Sequence, residues 1–306
     1  MRVFVTGVSG YLGGVLARHL AQAPDVEGIT GIDTALPRSA LPERVRFVQM
    51  DIRSPDLAAV MAGHAVLVHT AFVVLWSSRM PGTVRDDINL NGSTNVAQAA
   101  VAAGVGRVVH ASSVLAYDPA RVRGRDGITE EVPIGKARTP MYYGYGKAAT
   151  ERALGESLAA RGVPLTILRP CYILGPGNTA TVSGFRRSPV RYLGCDPRLQ
   201  FVHEDDVASA FLQAVRHPMP GAYNVVPDDW LRWSEVLATI GLRSVPAIPV
   251  WLARVLAATR WRWLGCPIHQ SWLDAMLLDY TVSNSKLRST GWRPRYRSKA
   301  ALRSAR

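Results

Sequence analysis

The strongest constraint in this chain is its first apolar run. Val3-Phe4-Val5-Thr6 breaks at Gly7, Gly10 and Gly13 and resumes as Val15-Leu16-Ala17-Arg18-His19-Leu20. The pattern reads as a strand, a tight glycine turn and a helix. In such a turn Gly7 takes the chain out of the strand, Gly10 lets backbone N–H groups approach a pyrophosphate, and Gly13 lets the helix pack on the strand. A dinucleotide phosphate then sits at the positive end of the helix, beside Tyr11 and Leu12. A second run, residues 28–32, ends at Asp33, about twenty residues past the turn, where a carboxylate accepts from an adenosine ribose. A carboxylate there repels a 2′-phosphate, so Asp33 favours NAD over NADP, a preference that Arg38 softens.

Beyond Asp33 the chain keeps alternating. Residues 45–50 read as a third strand that ends in Asp51 and Ile52, where an adenine ring is held. Residues 54–63 read as a helix with Pro55 at its first position. Residues 65–69 form a fourth strand, followed by Thr70 and Ala71 and then by the wholly apolar Phe72-Val73-Val74-Leu75-Trp76. A long helix is expected over 84–103, carrying Asn89, Asn91 and Asn95, which need partners in a helix interior. Residues 105–113 form a fifth strand ending in Ser112 and Ser113, residues 118–140 an exposed loop, and residues 163–170 a sixth strand that opens onto Cys171 and Tyr172. Strands alternating with helices predict an α/β, Rossmann-type doubly wound parallel sheet with ligands at the carboxyl ends of its strands. Residues 1–170 are the dinucleotide domain on this reading. Residues 171–306 are mainly a smaller C-terminal substrate-binding lid, with a short strand over 199–202 and a helix over 205–215, some of its segments returning to the first domain.

Composition excludes several classes. With 48% hydrophobic residues the 306-residue chain can bury a full core. Its cysteines, Cys171, Cys195 and Cys266, are few and widely spaced, which suits a reducing compartment and neither a disulfide framework nor a zinc site. A strand beginning at residue 2 leaves no room for a signal peptide, and no apolar run is long enough to span a bilayer, so a cytoplasmic location is expected. The formal charge is +13, much of it late in the chain. The few lysines and the lack of an aromatic-interleaved basic repeat argue against specific nucleic-acid recognition. Residues 250–264 mix Trp, Leu and Arg in the manner of an interfacial helix.

The chemistry-bearing residues are Tyr143 and Lys147, one helical turn apart on one face, and Ser113 at the end of the fifth strand. A phenol ionises near pH 10 in water, so a tyrosine that moves protons at neutral pH needs a nearby cation. Lys147 supplies that charge and holds a nicotinamide ribose. Ser113 hydrogen-bonds the substrate oxygen that gains or loses the proton.

These residues carry a resemblance. Thr6-Gly7 through Gly13 resembles the TGxxGxxG of the extended short-chain dehydrogenase/reductases, also called the NAD-dependent epimerase/dehydratase family. Asn89-Leu90-Asn91-Gly92-Ser93 is similar to its NVxGT, Ser112-Ser113 with Tyr117 to its SSxxxY, and Tyr143-Gly144-Tyr145-Gly146-Lys147 to its YxxSK, with Gly146 in the serine position. Phe201-Val202-His203-Glu204-Asp205-Asp206-Val207-Ala208 is similar to FVHVDDVA. The resemblance spans residue 2 to about 226 and returns at Gly291-Trp292-Arg293-Pro294. It implies a catalytic tetrad of Asn89, Ser113, Tyr143 and Lys147, and NAD held by Gly7, Gly10, Tyr11, Leu12, Gly13, Asp33, Asp51, Ile52, Thr70, Ala71, Lys147 and Pro170. It also implies a homodimer built from the helices of Asn89 and Lys147. Substrate contacts fall to Phe72, Val74, Trp76, Ser113, Cys171 and Tyr172.

Departures from the family pattern bear on the substrate. Sugar-nucleotide epimerases place a diphosphate-gripping Asn where Tyr172 stands, and dehydratases place Asp-Glu where Val114-Leu115 stands. With Phe72 to Trp76 apolar and Trp230, Trp233, Trp251, Trp261, Trp263 and Trp272 in the lid, the expected activity is reversible hydride transfer between a nicotinamide and a secondary alcohol or ketone with a hydrophobic body. Two alternatives stand beside it: a UDP-sugar epimerase using the same tetrad, and a catalytically silent NAD(P)-sensing or RNA-associated binding protein.

Overall fold

The apolar runs become seven strands of one parallel sheet. They are β1 (Arg2–Thr6), β2 (Gly28–Asp33), β3 (Val45–Gln49), β4 (Val66–His69), β5 (Arg107–Ala111), β6 (Leu165–Pro170) and β7 (Gly221–Val225). Their order is β7-β6-β5-β4-β1-β2-β3, every neighbouring pair parallel. The structure is a computed structural model and describes residues 1–75, 80–136, 142–187, 189–266 and 269–305. Strand order reverses between β1 and β4, which opens a crevice at their carboxyl ends. Register aligns Thr6 with His69 and His69 with His110.

Alternate residues of each strand face opposite layers. On one face Val3, Val5, Val68 and Val109 pack with Leu16 and Leu20 of helix α1 (Tyr11–Gln22) and with Phe211 and Val215 of a helix from the later part of the chain. On the other face Phe4, Leu67 and Val108 meet Val96 and Ala100 of α2 (Gly92–Ala102) and Leu154 and Leu158 of α3 (Tyr142–Ala159). The later helix is α4 (Glu204–Arg216). A smaller core of Leu174, Phe201, Leu231, Trp233, Leu237 and Leu302 lies to one side. Two further helices, α5 (Val250–Trp263) and α6 (Ser271–Met276), belong to the C-terminal part.

Four expectations change in detail. The helix expected over 84–103 is Gly82–Asp86, a π-helical segment Asp87–Asn91, and α2. The strand expected over 199–202 is two: Arg198–Leu199 pairs antiparallel with Leu231–Arg232, and Phe201–His203 pairs parallel with Tyr172–Leu174. The 118–140 stretch contains a short helix, Pro119–Val122, capped by Asp118, and it buries Val122 and Ile128 against Leu278 and Val282, so part of it is core rather than exposed loop. β7, a strand not expected from the sequence, and α4 are segments from beyond residue 170 that complete the main sheet and its helical layer. β7 was missed because Gly-Ala-Tyr-Asn-Val offers few apolar residues to mark it.

Candidate active site

The glycine turn is built as the spacing demands. Gly7 has φ +76°, a backbone that L side chains rarely adopt, and a Cβ there would lie 2.7 Å from Ala71 N. A Cβ on Gly13 would lie 2.1 Å from Gly7 O, so only glycine lets α1 pack this closely. Gly10 is the N-cap of α1, and no side chain caps that end. The first N–H groups of the helix, including those of Tyr11 and Leu12, thus lack a side-chain acceptor, which leaves them suited to an anionic group. The Asp33 carboxylate accepts from Ser9 N at 3.1 Å and Ala35 N at 3.2 Å, which fixes it beside the turn with lone pairs to spare. These features fit a dinucleotide.

Around the turn, Thr70 Oγ1 donates to Thr6 O at 2.6 Å and Ala71 N donates to Thr6 Oγ1 at 3.3 Å, which presses residues 70–71 against Gly7. Asp51 is committed to Arg53, whose guanidinium also reaches Asp87 at 2.7 Å; the arginine holds the Asp51 carboxyl below its usual range. Ile52 is buried, and its carbonyl accepts from Asn95. Pro170 ends β6 opposite Val225. Burial pushes the Cys171 thiol up. Tyr172 lies against Phe201, ring centroids 5.8 Å apart.

Ser113, Tyr143 and Lys147 come together at the carboxyl end of β5. Ser113 Oγ accepts from Leu115 N, which leaves its own proton to donate. Burial pushes the Tyr143 phenol up to about 12, and a hydrogen bond with Ser113 opposes part of that rise. Lys147 is only 4% exposed, donates to Ala111 O at 2.7 Å, and is brought down to about 7 by burial, with Glu151 acting the other way. The Lys147 Nζ also lies 3.9 Å from the centre of the Phe72 ring.

Phe72 explains the glycine at position 146. A Cβ there would lie 3.1 Å from Phe72 Cζ, so the missing side chain makes room for the ring. The same ring meets Tyr143 edge-on, centroids 5.7 Å apart, while Trp272 of α6 lies 4.9 Å from Tyr143 on a tilted plane. Two hydrogen-bonding side chains hold the segment that carries Phe72. Asn89 spends its amide on the Val73 backbone, accepting from N at 2.7 Å and donating to O at 3.2 Å. Tyr142 OH lies within bonding distance of Val73 O and Val74 O. Asn89, expected as the fourth tetrad member, therefore faces the wall of the site. Val74 is exposed, and Trp76 lies outside the described residues.

Three groups received no individual site role from the sequence. Glu151, one turn beyond Lys147, receives both Nε and Nη2 of Arg169 at 2.9 and 2.6 Å, together with the Ser112 hydroxyl. Its i, i+4 spacing from Lys147 was the available signal. Glu204, at the N-terminus of α4, accepts from Tyr11 OH at 2.6 Å and from Gly177 N at 3.1 Å, tying the lid loop to the glycine turn. Trp272 had no signal beyond being one tryptophan among several.

The comparisons with known proteins agree with this architecture. A family model described as the NAD dependent epimerase/dehydratase family matches residues 3–226. An uncharacterized protein of Mycobacterium tuberculosis is 30% identical over 263 residues, 80% of this chain and 67% of that protein. The L-arabinose 1-dehydrogenase (NAD(P)(+)) of Haloferax volcanii is 28% identical over 79% of this chain and 95% of its own. The fold superposes on UDP-glucose 4-epimerase from Thermotoga maritima with a TM-score of 0.77 at 17% identity, covering 100% of this chain and 97% of that one. Matched from its glycine turn through β7, the chain belongs to the NAD-dependent epimerase/dehydratase family of Rossmann-fold oxidoreductases.

Proposed function

We propose that this protein interconverts a secondary alcohol and a ketone on a substrate with an apolar body, with NAD as hydride carrier and Tyr143 as the group that moves the proton. The observation that carries this reading is the aromatic enclosure of Tyr143 by Phe72 and Trp272, with Tyr172 standing where a diphosphate-gripping asparagine is expected in sugar-nucleotide enzymes. Such walls favour a hydrophobic substrate over a charged nucleotide sugar.

Bound NAD supplies the hydride acceptor or donor at the carbon bearing the reacting oxygen. The uncapped N-terminus of α1, Asp33 and Lys147 are the groups that would hold it. Ser113 donates its hydroxyl proton to the substrate oxygen and so fixes that oxygen beside Tyr143. In oxidation the Tyr143 oxygen takes the alcohol proton; in reduction it returns one. Lys147 and Tyr143 act as a coupled pair, since a charge on the ammonium stabilises the phenolate and loss of a proton from either leaves the same net charge. Asn89 and Tyr142 position Phe72 by holding the 73–74 backbone.

The test is thermal unfolding with NAD, NADP, UDP-glucose and apolar secondary alcohols added separately. A ligand of the native state at a hundred times its Kd adds about 2.7 kcal/mol of stability. NAD is expected to raise the midpoint, and an apolar alcohol to raise it further in the presence of NAD. Stabilisation by UDP-glucose and not by the alcohols transfers the assignment to epimerisation. Tyr143→Phe is expected to keep the NAD shift and to lose turnover by about 10²–10⁴-fold. A variant with undiminished turnover removes Tyr143 from the reaction.

A further inference from the structure

α5 turns the usual amphipathic arrangement outward. A surface helix ordinarily buries its apolar stripe and shows water its polar face. Here Trp251 is 65% exposed and Trp263 74%, and Val255, Leu256 and the following Leu264 are exposed with them, while Ala253 is the buried residue of the helix. At about 100° per residue, Trp251, Val255, Leu256 and Trp263 fall within one arc of about 140°, and Ala253 lies outside it. Arg254, Arg260 and Arg262 are interleaved with them, and residues 236–273 contain no Asp or Glu. No helix among the described residues is long and apolar enough to cross a membrane.

The face adjoins the site. Arg254 on α5 pairs with Asp274 on α6 at 2.8 Å, and α6 carries the Trp272 that lies on Tyr143. Trp261 on α5 meets His269 edge-on, ring centroids 4.7 Å apart, and the charge of Arg85 acts on that histidine. Arg85 in turn covers the Tyr142 ring, which holds the 73–74 segment where Val74 and Leu75 are exposed.

We propose that α5 docks the protein on an anionic membrane surface, lying in the headgroup layer with Trp251, Val255, Leu256 and Trp263 inserted and its arginines facing lipid phosphates. Charge complementarity selects this occupant. Arg254 is already matched by Asp274, and pairing two copies of the face would set the arginines of one helix against those of the other across a stretch, residues 236–273, that holds no carboxylate, whereas an anionic leaflet supplies the opposite charge. Indole rings suit such an interface because one edge is apolar and the N–H can be wet. The proposal concerns the surface alone and stands whichever reaction the active site performs.

The test is co-sedimentation of the full chain with phosphatidylcholine vesicles, with and without phosphatidylglycerol, alongside light scattering in the absence of lipid. Expected are binding to the phosphatidylglycerol vesicles that weakens with added salt, and at least about tenfold weaker binding to phosphatidylcholine alone. Trp251→Ser/Trp263→Ser is expected to lower the partition about tenfold or more while leaving the unfolding midpoint and the NAD shift in place. Arg262→Gln is expected to lower it less, and only at low salt. The proposal is overturned by absence of binding to the anionic vesicles, or by binding that the double variant leaves unchanged, which would locate it elsewhere on a +13 chain. It is overturned equally by a self-associated species that the double variant dissolves in a protein that binds no vesicle.

Discussion

Two buried polar clusters lie near Lys147, and they solve the problem of burial in opposite ways. In the first, Glu151 and Arg169 pair directly: two nitrogens of the guanidinium face two carboxylate oxygens, and Ser112 donates to the same carboxylate. In the second, His69 and His110 are stacked with centroids 5.3 Å apart and are held neutral. Burial lowers His69 to about 3 and His110 well below its usual value, and the Lys147 charge lowers both further. His69 is satisfied by Thr6 Oγ1 at 2.7 Å and Ser93 Oγ at 2.9 Å, whereas both ring nitrogens of His110 are without a hydrogen-bond partner among the described residues. Lys147 belongs to neither solution. Burial brings its proton to the point of loss near neutral pH, and Glu151, both of whose oxygens Arg169 already claims, opposes that only in part. A cation whose proton is labile at that point fits the proton exchange with Tyr143 that we propose.

The largest effect is expected on breaking the first cluster. Glu151→Gln leaves Arg169 as an uncompensated buried charge, and Arg169→Met does the same to Glu151; each single change should cost about 3–5 kcal/mol in denaturant unfolding. The double replacement Glu151→Gln/Arg169→Met removes both charges and should cost clearly less than the sum of the singles. An additive cycle would mean that the two side chains act independently, and the contrast with the histidines would collapse. In Glu151→Gln, Lys147 also loses its nearby anion and should give up its proton at a still lower pH.

How far these features were legible in the chain depends on what each one requires. The glycine turn was readable because backbone N–H groups can meet a phosphate only at fixed spacing, and Gly7 and Gly13 tolerate no Cβ where they stand. Tyr143, Lys147 and Ser113 were readable because a helical turn and a strand end impose their positions. The walls of the site were less so. Phe72 was expected near the substrate, but its place on Lys147 depends on the gap left by Gly146, on the Asn89 amide and on the Tyr142 hydroxyl, which meet only after three separate segments have folded. The π-helical segment that carries Asn89 reads as ordinary helix in sequence, because one extra residue per turn hardly alters an apolar pattern. Among the six lid tryptophans the sequence offers nothing to separate Trp233, which is core, from Trp272, on Tyr143, or Trp263, in solvent.

The next effect in size is set by Lys147. Below about 7 the Lys147–Tyr143 pair holds both protons and has no base to accept one from an alcohol. The rate of oxidation at limiting substrate should therefore fall about tenfold per pH unit below about 7, and level off above it. Reduction, which needs the proton, should show the opposite limb. Stability follows the same group with its own sign. A lysine whose pKa falls from 10.5 to about 7 on folding carries its full penalty below about 7, and sheds it as pH rises toward 10.5, so this group makes the fold more stable across that window. Lys147→Met should flatten both profiles. An acid limb that persists in Lys147→Met would assign the titration elsewhere.

The smallest effects separate the two histidines from each other. His69→Phe strips a partner from Thr6 and from Ser93, but Thr6 Oγ1 still accepts from Ala71 N and Ser93 Oγ still donates to Asn89 O. The cost should sit near the low end of a lost buried hydrogen bond, about 1 kcal/mol at neutral pH. The cost should shrink or reverse in acid, because the unfolded chain protonates His69 as pH drops through 6.5 while the folded chain resists until about 3, and phenylalanine has no such penalty. His110→Phe removes two nitrogens that bond to nothing among the described residues and replaces one flat ring with another. It should change stability by less than about 0.5 kcal/mol at neutral pH, or raise it. Urea unfolding of both variants at neutral and acid pH decides the matter. Equal costs at neutral pH would mean that His110 is held as firmly as His69.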